Sequence, residues 1–155
     1  MRVDLSDFLR NGKLGVIDLG TPVNLIRALL GKPEDISRQG SRREIWRYGA
    51  LQLAFDKGSL TFMGVYFQEQ LGLPDTIVVE GYFPSHLTTL DQIEGFLNGE
   101  DISYRVDSDL TFDAQLCLLV GVGVHICFIS NRAVSMSKKY YLDSIQYAST
   151  RGTRN

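Results

Sequence analysis

The chain has 155 residues, 44% of them hydrophobic and 22% charged, with 15 Gly, 4 Pro and 2 Cys. That length buries enough surface to fold as one globular domain without a metal or a disulfide staple, and the composition excludes disordered, collagenous and disulfide-scaffold classes. The 16 basic and 18 acidic side chains leave a net charge of −2, which argues against a dedicated nucleic-acid binder.

No apolar run is long enough to span a bilayer, and the start, Met1-Arg2-Val3-Asp4, carries acid where a signal peptide needs bare basic charge. A cytoplasmic bacterial protein with no membrane partner is the expectation. Charge is unevenly spread. Residues 68–114 contain ten carboxylates, among them Glu100, Asp101, Asp107 and Asp109, against Arg105 alone, between two mildly basic flanks.

A short helix is expected near residues 5–10. The next, over 22–30, has Thr21 as its cap, Pro22 at the first helical position, Leu25, Ile26, Ala28 and Leu29 as an apolar stripe, and Gly31 as a left-handed exit. Strands follow at 44–48, 51–55 and 60–67, the last two joined through Asp56-Lys57-Gly58-Ser59 as a hairpin turn. Residues 68–88 read as a linker with a possible strand at 77–80. A second helix repeats the first pattern 68 residues on: Thr89 caps, Gln92 completes a capping box, Leu90, Ile93, Phe96 and Leu97 make the stripe, and Gly99 ends it. Strands at 102–106, 115–120, 124–129 and 133–136 follow, with Gly121-Val122-Gly123 as one turn and Asn131 as the next.

The fold expected is α+β: two helix-plus-antiparallel-meander repeats with helices packed on one face of the sheets, in a single domain over 1–155. Unit 1 covers about 14–67, the linker 68–88, unit 2 about 89–147, and a frayed tail 148–155. Leu25, Leu29, Leu53, Phe55, Ile93, Leu97, Leu118 and Ile126 are the expected core, and a parallel sheet or exposure of these residues would end this reading.

Residues 21–67 carry Leu29-Leu30-Gly31-Lys32-Pro33, then Trp46-Arg47-Tyr48-Gly49, then two alternating strands around Gly58. This resembles the unit shared by β-lactamase-inhibitor proteins and the small lipoproteins of outer-membrane assembly. In the inhibitors the unit occurs twice and forms a concave surface that grips a protein. The resemblance therefore implies this duplicated fold and a tendency toward protein binding, without implying a β-lactamase target.

Candidate chemistry is sparse. A hairpin turning at Val122 sets Cys117 opposite Cys127 and Leu119 opposite His125 on one sheet face. Their apolar neighbours favour buried structural thiols over a nucleophile, metal site or cross-strand disulfide. Gly121-x-Gly123 lacks the strand-then-helix context and third glycine of a dinucleotide loop, and Asp107, Asp109 and Asp113 lack the glycine and glutamate of a calcium-binding loop. His86 reads as a surface histidine. No catalytic residue, metal or cofactor is expected, and enzymatic activity is disfavoured.

Arg38, Arg42, Arg43 and Arg47 with Trp46 and Tyr48 form the basic-aromatic cluster. Its Arg42, Arg43 and Trp46, with the acidic Glu100, Asp101, Asp107 and Asp109, are the expected partner contacts. The leading function is a non-catalytic protein-binding module, an inhibitor or immunity-type protein whose acidic face attracts a basic partner such as a nuclease toxin. The alternatives are a ligand-binding or enzymatic domain using the cleft between repeats, and a homodimeric structural subunit paired through sheet edges.

Overall fold

The structure, a computed structural model, describes residues 1–130 and 139–150. The strand expected at 133–136 and the turn at Asn131 lie outside the described residues. The elements are β1 (Arg2–Asp4), α1 (Leu5–Asn11), α2 (Val23–Leu30), β2 (Asp35–Gln39), β3 (Arg43–Tyr48), β4 (Leu51–Asp56), β5 (Ser59–Tyr66), β6 (Val78–Glu80), α3 (Leu90–Gly99), β7 (Tyr104–Val106), β8 (Gln115–Val120), β9 (Val124–Ser130) and β10 (Tyr140–Ala148). The chain is α+β, and its sheet is mostly antiparallel. Among the described residues, no helix is long and apolar enough to cross a membrane.

Eight strands form one sheet in the order β2-β3-β4-β5-β10-β9-β8-β7, antiparallel at every pairing. β5 meets β10 at its centre, with Val65 opposite Ile145 and Gly64 opposite Gln146. A separate two-stranded sheet pairs β1 with β6 in parallel, Val3 opposite Val79; this is the one departure from the antiparallel expectation.

Period-two alternation divides the strand side chains. Trp46, Tyr48, Leu51, Leu53, Phe55, Leu60, Met63, Val65, Leu118, Val120, Val124, Ile126, Phe128, Leu142 and Ile145 join one hydrophobic cluster. Phe8 and Leu9 of α1, Ile26 and Leu30 of α2, and Ile93 and Leu97 of α3 complete it. Six of the eight expected core residues are buried and Leu29 packs against the cluster, but Leu25 is 46% exposed. Ile26 and Leu30 set the buried direction of α2, and Leu25, one step from Ile26, points about 100° away from it.

Helix ends also differ from expectation. Thr89 and Gln92 form the capping box, whereas Thr21 does not cap α2. Its hydroxyl donates to the Asp18 carbonyl at 2.7 Å and accepts from the Asp18 N–H at 3.1 Å, closing a turn before the helix, and Pro22 takes the cap position. At the end of α3 the left-handed residue is Asp101, φ 55°, and Gly99 remains helical.

Lys57 (φ 51°) and Gly58 (φ 75°) make the β4–β5 turn, both in the left-handed conformation that suits the twist of a two-residue hairpin. β2 was not among the expected strands: all five of its residues are exposed, so no burial pattern announces it. β10 was also unread. Ala148, assigned to the tail from sequence, pairs with Phe62, and the Ser149 N–H donates to the Thr61 carbonyl at 2.9 Å.

Gly121 (φ 54°) lies where α1 meets the β8–β9 hairpin, and a Cβ there would collide with the Leu9 carbonyl; Gly81 (φ 75°) has open space around it. Gly81→Ala should cost about 1 kcal/mol for the left-handed backbone alone, and Gly121→Ala about 1–3 kcal/mol more because α1 must shift. Denaturant unfolding of both variants measures the difference, and equal losses would remove the packing argument.

Candidate partner-binding face

Most strand residues left out of the core cluster share the opposite sheet face, and register places them in rows. One row runs Asp35, Arg47, Gln52, Gly64, Gln146, His125, Leu119 and Arg105 across all eight strands. Beside it lie Ser37, Ile45, Ala54, Phe62 and Ala148 on one side, and Tyr66, Ser144, Cys127 and Cys117 on the other.

At the centre, Phe62 and Tyr66 flank Gly64 on β5. A Cβ on Gly64 would stand 2.8 Å from Phe62 Cζ and 3.1 Å from the Tyr66 ring, so both rings lean over this one glycine. They are half-buried and cover Gly64 while leaving their outer surfaces to solvent. Burial first, and then the neighbouring Asp143 charge, push the Tyr66 hydroxyl above its ordinary pKa, so the phenol stays neutral and able to donate.

Cys117 and Cys127 are directly opposite, as the hairpin register implies, but they form a disulfide where buried thiols were the leading expectation. The Cys117 N–H donates to Thr111 Oγ1 and its carbonyl accepts the Asp107 N–H, both outside the β8–β9 ladder. The pair is thus a non-hydrogen-bonded one, with Cα atoms 4.2 Å apart, the close spacing that brings two thiols together.

One step along β9, His125 Nε2 lies 2.9 Å from Asp107 Oδ2. The hydrogen bond from His125 holds the Asp107 carboxyl below its usual pKa, with help from the Asp109 N–H. An ionised carboxylate only accepts, so the ring donates its Nε2–H and Nδ1 of the neutral ring is an acceptor.

The partner residues expected from sequence are dispersed. Trp46 is 4% exposed, and this corrects its assignment as a contact. Its ring packs on Phe55 with centroids 5.0 Å apart, Arg27 lies over it, and its Nε1–H donates to Glu44 at 2.9 Å. A large ring opposite Leu53 on the core side of the sheet gains more from burial than from solvent.

Arg42 and Arg43 stand at the β2–β3 turn, both exposed. Glu100 pairs with Arg10 at 3.3 Å, Asp101 follows α3, Asp107 is held by His125, and Asp109 is exposed in the loop after β7. The four acids therefore flank both ends of β7, and two of them already have cationic or imidazole partners.

Sequence reasoning missed Phe62, Tyr66, Gln52 and Gln146. Their signal was present as the off-core half of each strand's alternation. A second concavity, about 490 Å³, lies under the 67–73 segment. Its walls are Val65, Phe67, Leu73, Val79 and Phe83, with His86 and Glu69 at the polar side.

Two carboxylates, Asp107 just after β7 and Asp143 in β10, should show opposite pH signatures. Asp107, whose native pKa is lowered from 3.8, contributes stability that is present above 3.8 and lost as pH falls through the native value. Asp143, raised from 3.8 by burial, contributes stability that is present below 3.8 and lost as pH rises through its native value. Thermal unfolding against pH should show Asp107→Asn flattening the acid limb and Asp143→Asn stabilising the protein near neutrality. The same slope in both variants would contradict the assignment.

No family model, curated protein or solved structure matches this chain. What the face does must be argued from its own geometry.

Proposed function

We propose that the protein is a non-catalytic protein-binding module that grips its partner with the helix-free face of the eight-stranded sheet. The observation that carries this reading is the Phe62–Gly64–Tyr66 cluster at the sheet centre. Two half-buried aromatic rings in a fixed arrangement are ringed by Gln52, Gln146, His125 and Arg47, the composition of an interface hot spot with a polar rim.

The same reading includes two helix-plus-meander repeats. In support, α2 precedes β2–β5 and α3 precedes β7–β10, the two meanders join through their last strands, and the core cluster draws on all three helices but on only one alternation of the strands. An inhibitor built this way would resemble the duplicated plan of β-lactamase-inhibitor proteins.

A basic partner remains part of the proposal, with Glu100, Asp101 and Asp109 acting at long range. Asp107 serves locally by orienting His125. A disulfide persists in oxidising compartments, which fits surroundings other than the cytoplasm expected from composition. A second reading, small-ligand binding, is favoured by the apolar cavity of about 490 Å³ beneath the 67–73 segment.

Affinity capture from the source cell identifies the partner, and binding is then measured with variants. Phe62→Ala with Tyr66→Ala should weaken it about 30-fold or more, the loss of at least one hot spot, with unfolding cooperativity unchanged. Replacing Glu100, Asp101 and Asp109 by Lys should slow association about tenfold at low salt and leave dissociation nearly constant. A partner that binds the double aromatic variant as tightly as the native protein would exclude the sheet face.

A further inference from the structure

Away from the aromatic cluster, the turns at one end of the first meander enclose a second feature. The β2–β3 turn and the β4–β5 turn come side by side, because the Lys57 N–H donates to the Arg42 carbonyl at 2.9 Å. Between them and Val23 at the start of α2 is a concavity of about 460 Å³, lined by Arg38, Ser41, Arg42, Arg43, Glu44 and Lys57 among others. Its volume falls within the range of small-molecule sites.

Its charge is unbalanced in a specific way. Glu44, the carboxylate in its wall, is already engaged: it accepts from Arg38 Nε at 3.3 Å and from Trp46 Nε1 at 2.9 Å. Arg42, Arg43 and Lys57 have no carboxylate within ion-pair distance among the described residues. Three cations therefore line one concavity without forming ion pairs among the described residues, with Asp56 opposite Arg43 as the nearest carboxylate in register, and an anion would relieve their mutual repulsion.

The turn geometry fixes this convergence. Gly40 at φ 70° and Lys57 at φ 51° reverse the two hairpins, and the hydrogen bond between Lys57 and Arg42 ties their tips together. Two guanidinium forks, an ammonium and the Ser41 hydroxyl supply donors suited to the oxygens of a phosphoryl group.

We infer that this concavity is an anion site for a small phosphorylated molecule, a phosphate monoester or a diphosphate. Three cations without ion pairs of their own suit a small anion of charge about −2, and the Val23 edge offers apolar contact to whatever carries the phosphate. A nucleic-acid strand fits less well, because the cations are confined to a pair of turns on a chain of net charge −2 and form no track along a backbone. The site is separate from the sheet face, so it stands whether or not that face binds a protein.

The test is calorimetric titration of the full chain with inorganic pyrophosphate and, separately, with inorganic phosphate, at low and moderate salt. Saturable binding to one site per chain is expected, tighter for pyrophosphate and weakened by salt. Arg42→Glu with Lys57→Glu should reduce affinity at least about tenfold, as expected for lost charge-assisted hydrogen bonds. Arg42→Lys with Lys57→Arg should retain most of it, and Phe62→Ala with Tyr66→Ala should leave it unchanged. Absence of saturable heat, equal affinity in the charge-reversed variant, or a single-stranded oligonucleotide binding where pyrophosphate does not would each overturn the inference. Far-ultraviolet circular dichroism of every variant separates lost binding from lost fold.

Discussion

The antiparallel pairing of β5 with β10 is the constraint on which the rest of the molecule depends. It joins two four-stranded meanders edge to edge, so that neither has an open inner edge and their apolar faces form one continuous surface. Phe8 and Leu9 of α1, Ile26 and Leu30 of α2, and Ile93 and Leu97 of α3 belong to the same hydrophobic cluster as that surface. If this pairing slipped by one residue, Ile145 would turn from the core to solvent and Gln146 would turn inward. The register at the seam thus specifies both the buried face and the rows of the opposite face.

The opposite face differs chemically from the interior it backs. Its centre holds aromatic rings against a glycine, its middle row holds amides and an imidazole, and its margins hold Arg47 and Arg105. Charge is strongest elsewhere, at the β2–β3 turn and around β7. The aromatic cluster and the densest charge therefore occupy different parts of the surface.

Much of this was legible in the sequence where local rules dominate. Thr89 and Gln92 announced the cap of α3, Lys57-Gly58 announced a hairpin, and the symmetric turn at Val122 gave the opposition of Cys117 with Cys127. What failed depended on tertiary context. Asp143 sits in a bulge between Leu142 and Ser144, so the core residues of β10 fall at 142 and 145 and break the period of two that identifies a strand. Thr21 had a capping residue's chemistry, but Asp18 supplied a competing partner. Trp46 looked like an exposed anchor because sequence alone does not reveal which face of β3 meets the helices. The central site was unread for a related reason: Gly64 matters through the two rings above it, and their position follows from the fold.

The cross-strand disulfide has a consequence beyond its local geometry. It spans 10 positions in sequence, a short loop whose closure stabilises the native state by roughly 2.5–3 kcal/mol in the chain-entropy view. Because it links directly opposite residues of β8 and β9, it also fixes their alignment. Folding stability then becomes linked to the thiol–disulfide poise of the surroundings: a reducing milieu leaves the ladder intact but removes the covalent register lock, so the outer strands β7 and β8 gain freedom to fray while the β5–β10 seam stays closed.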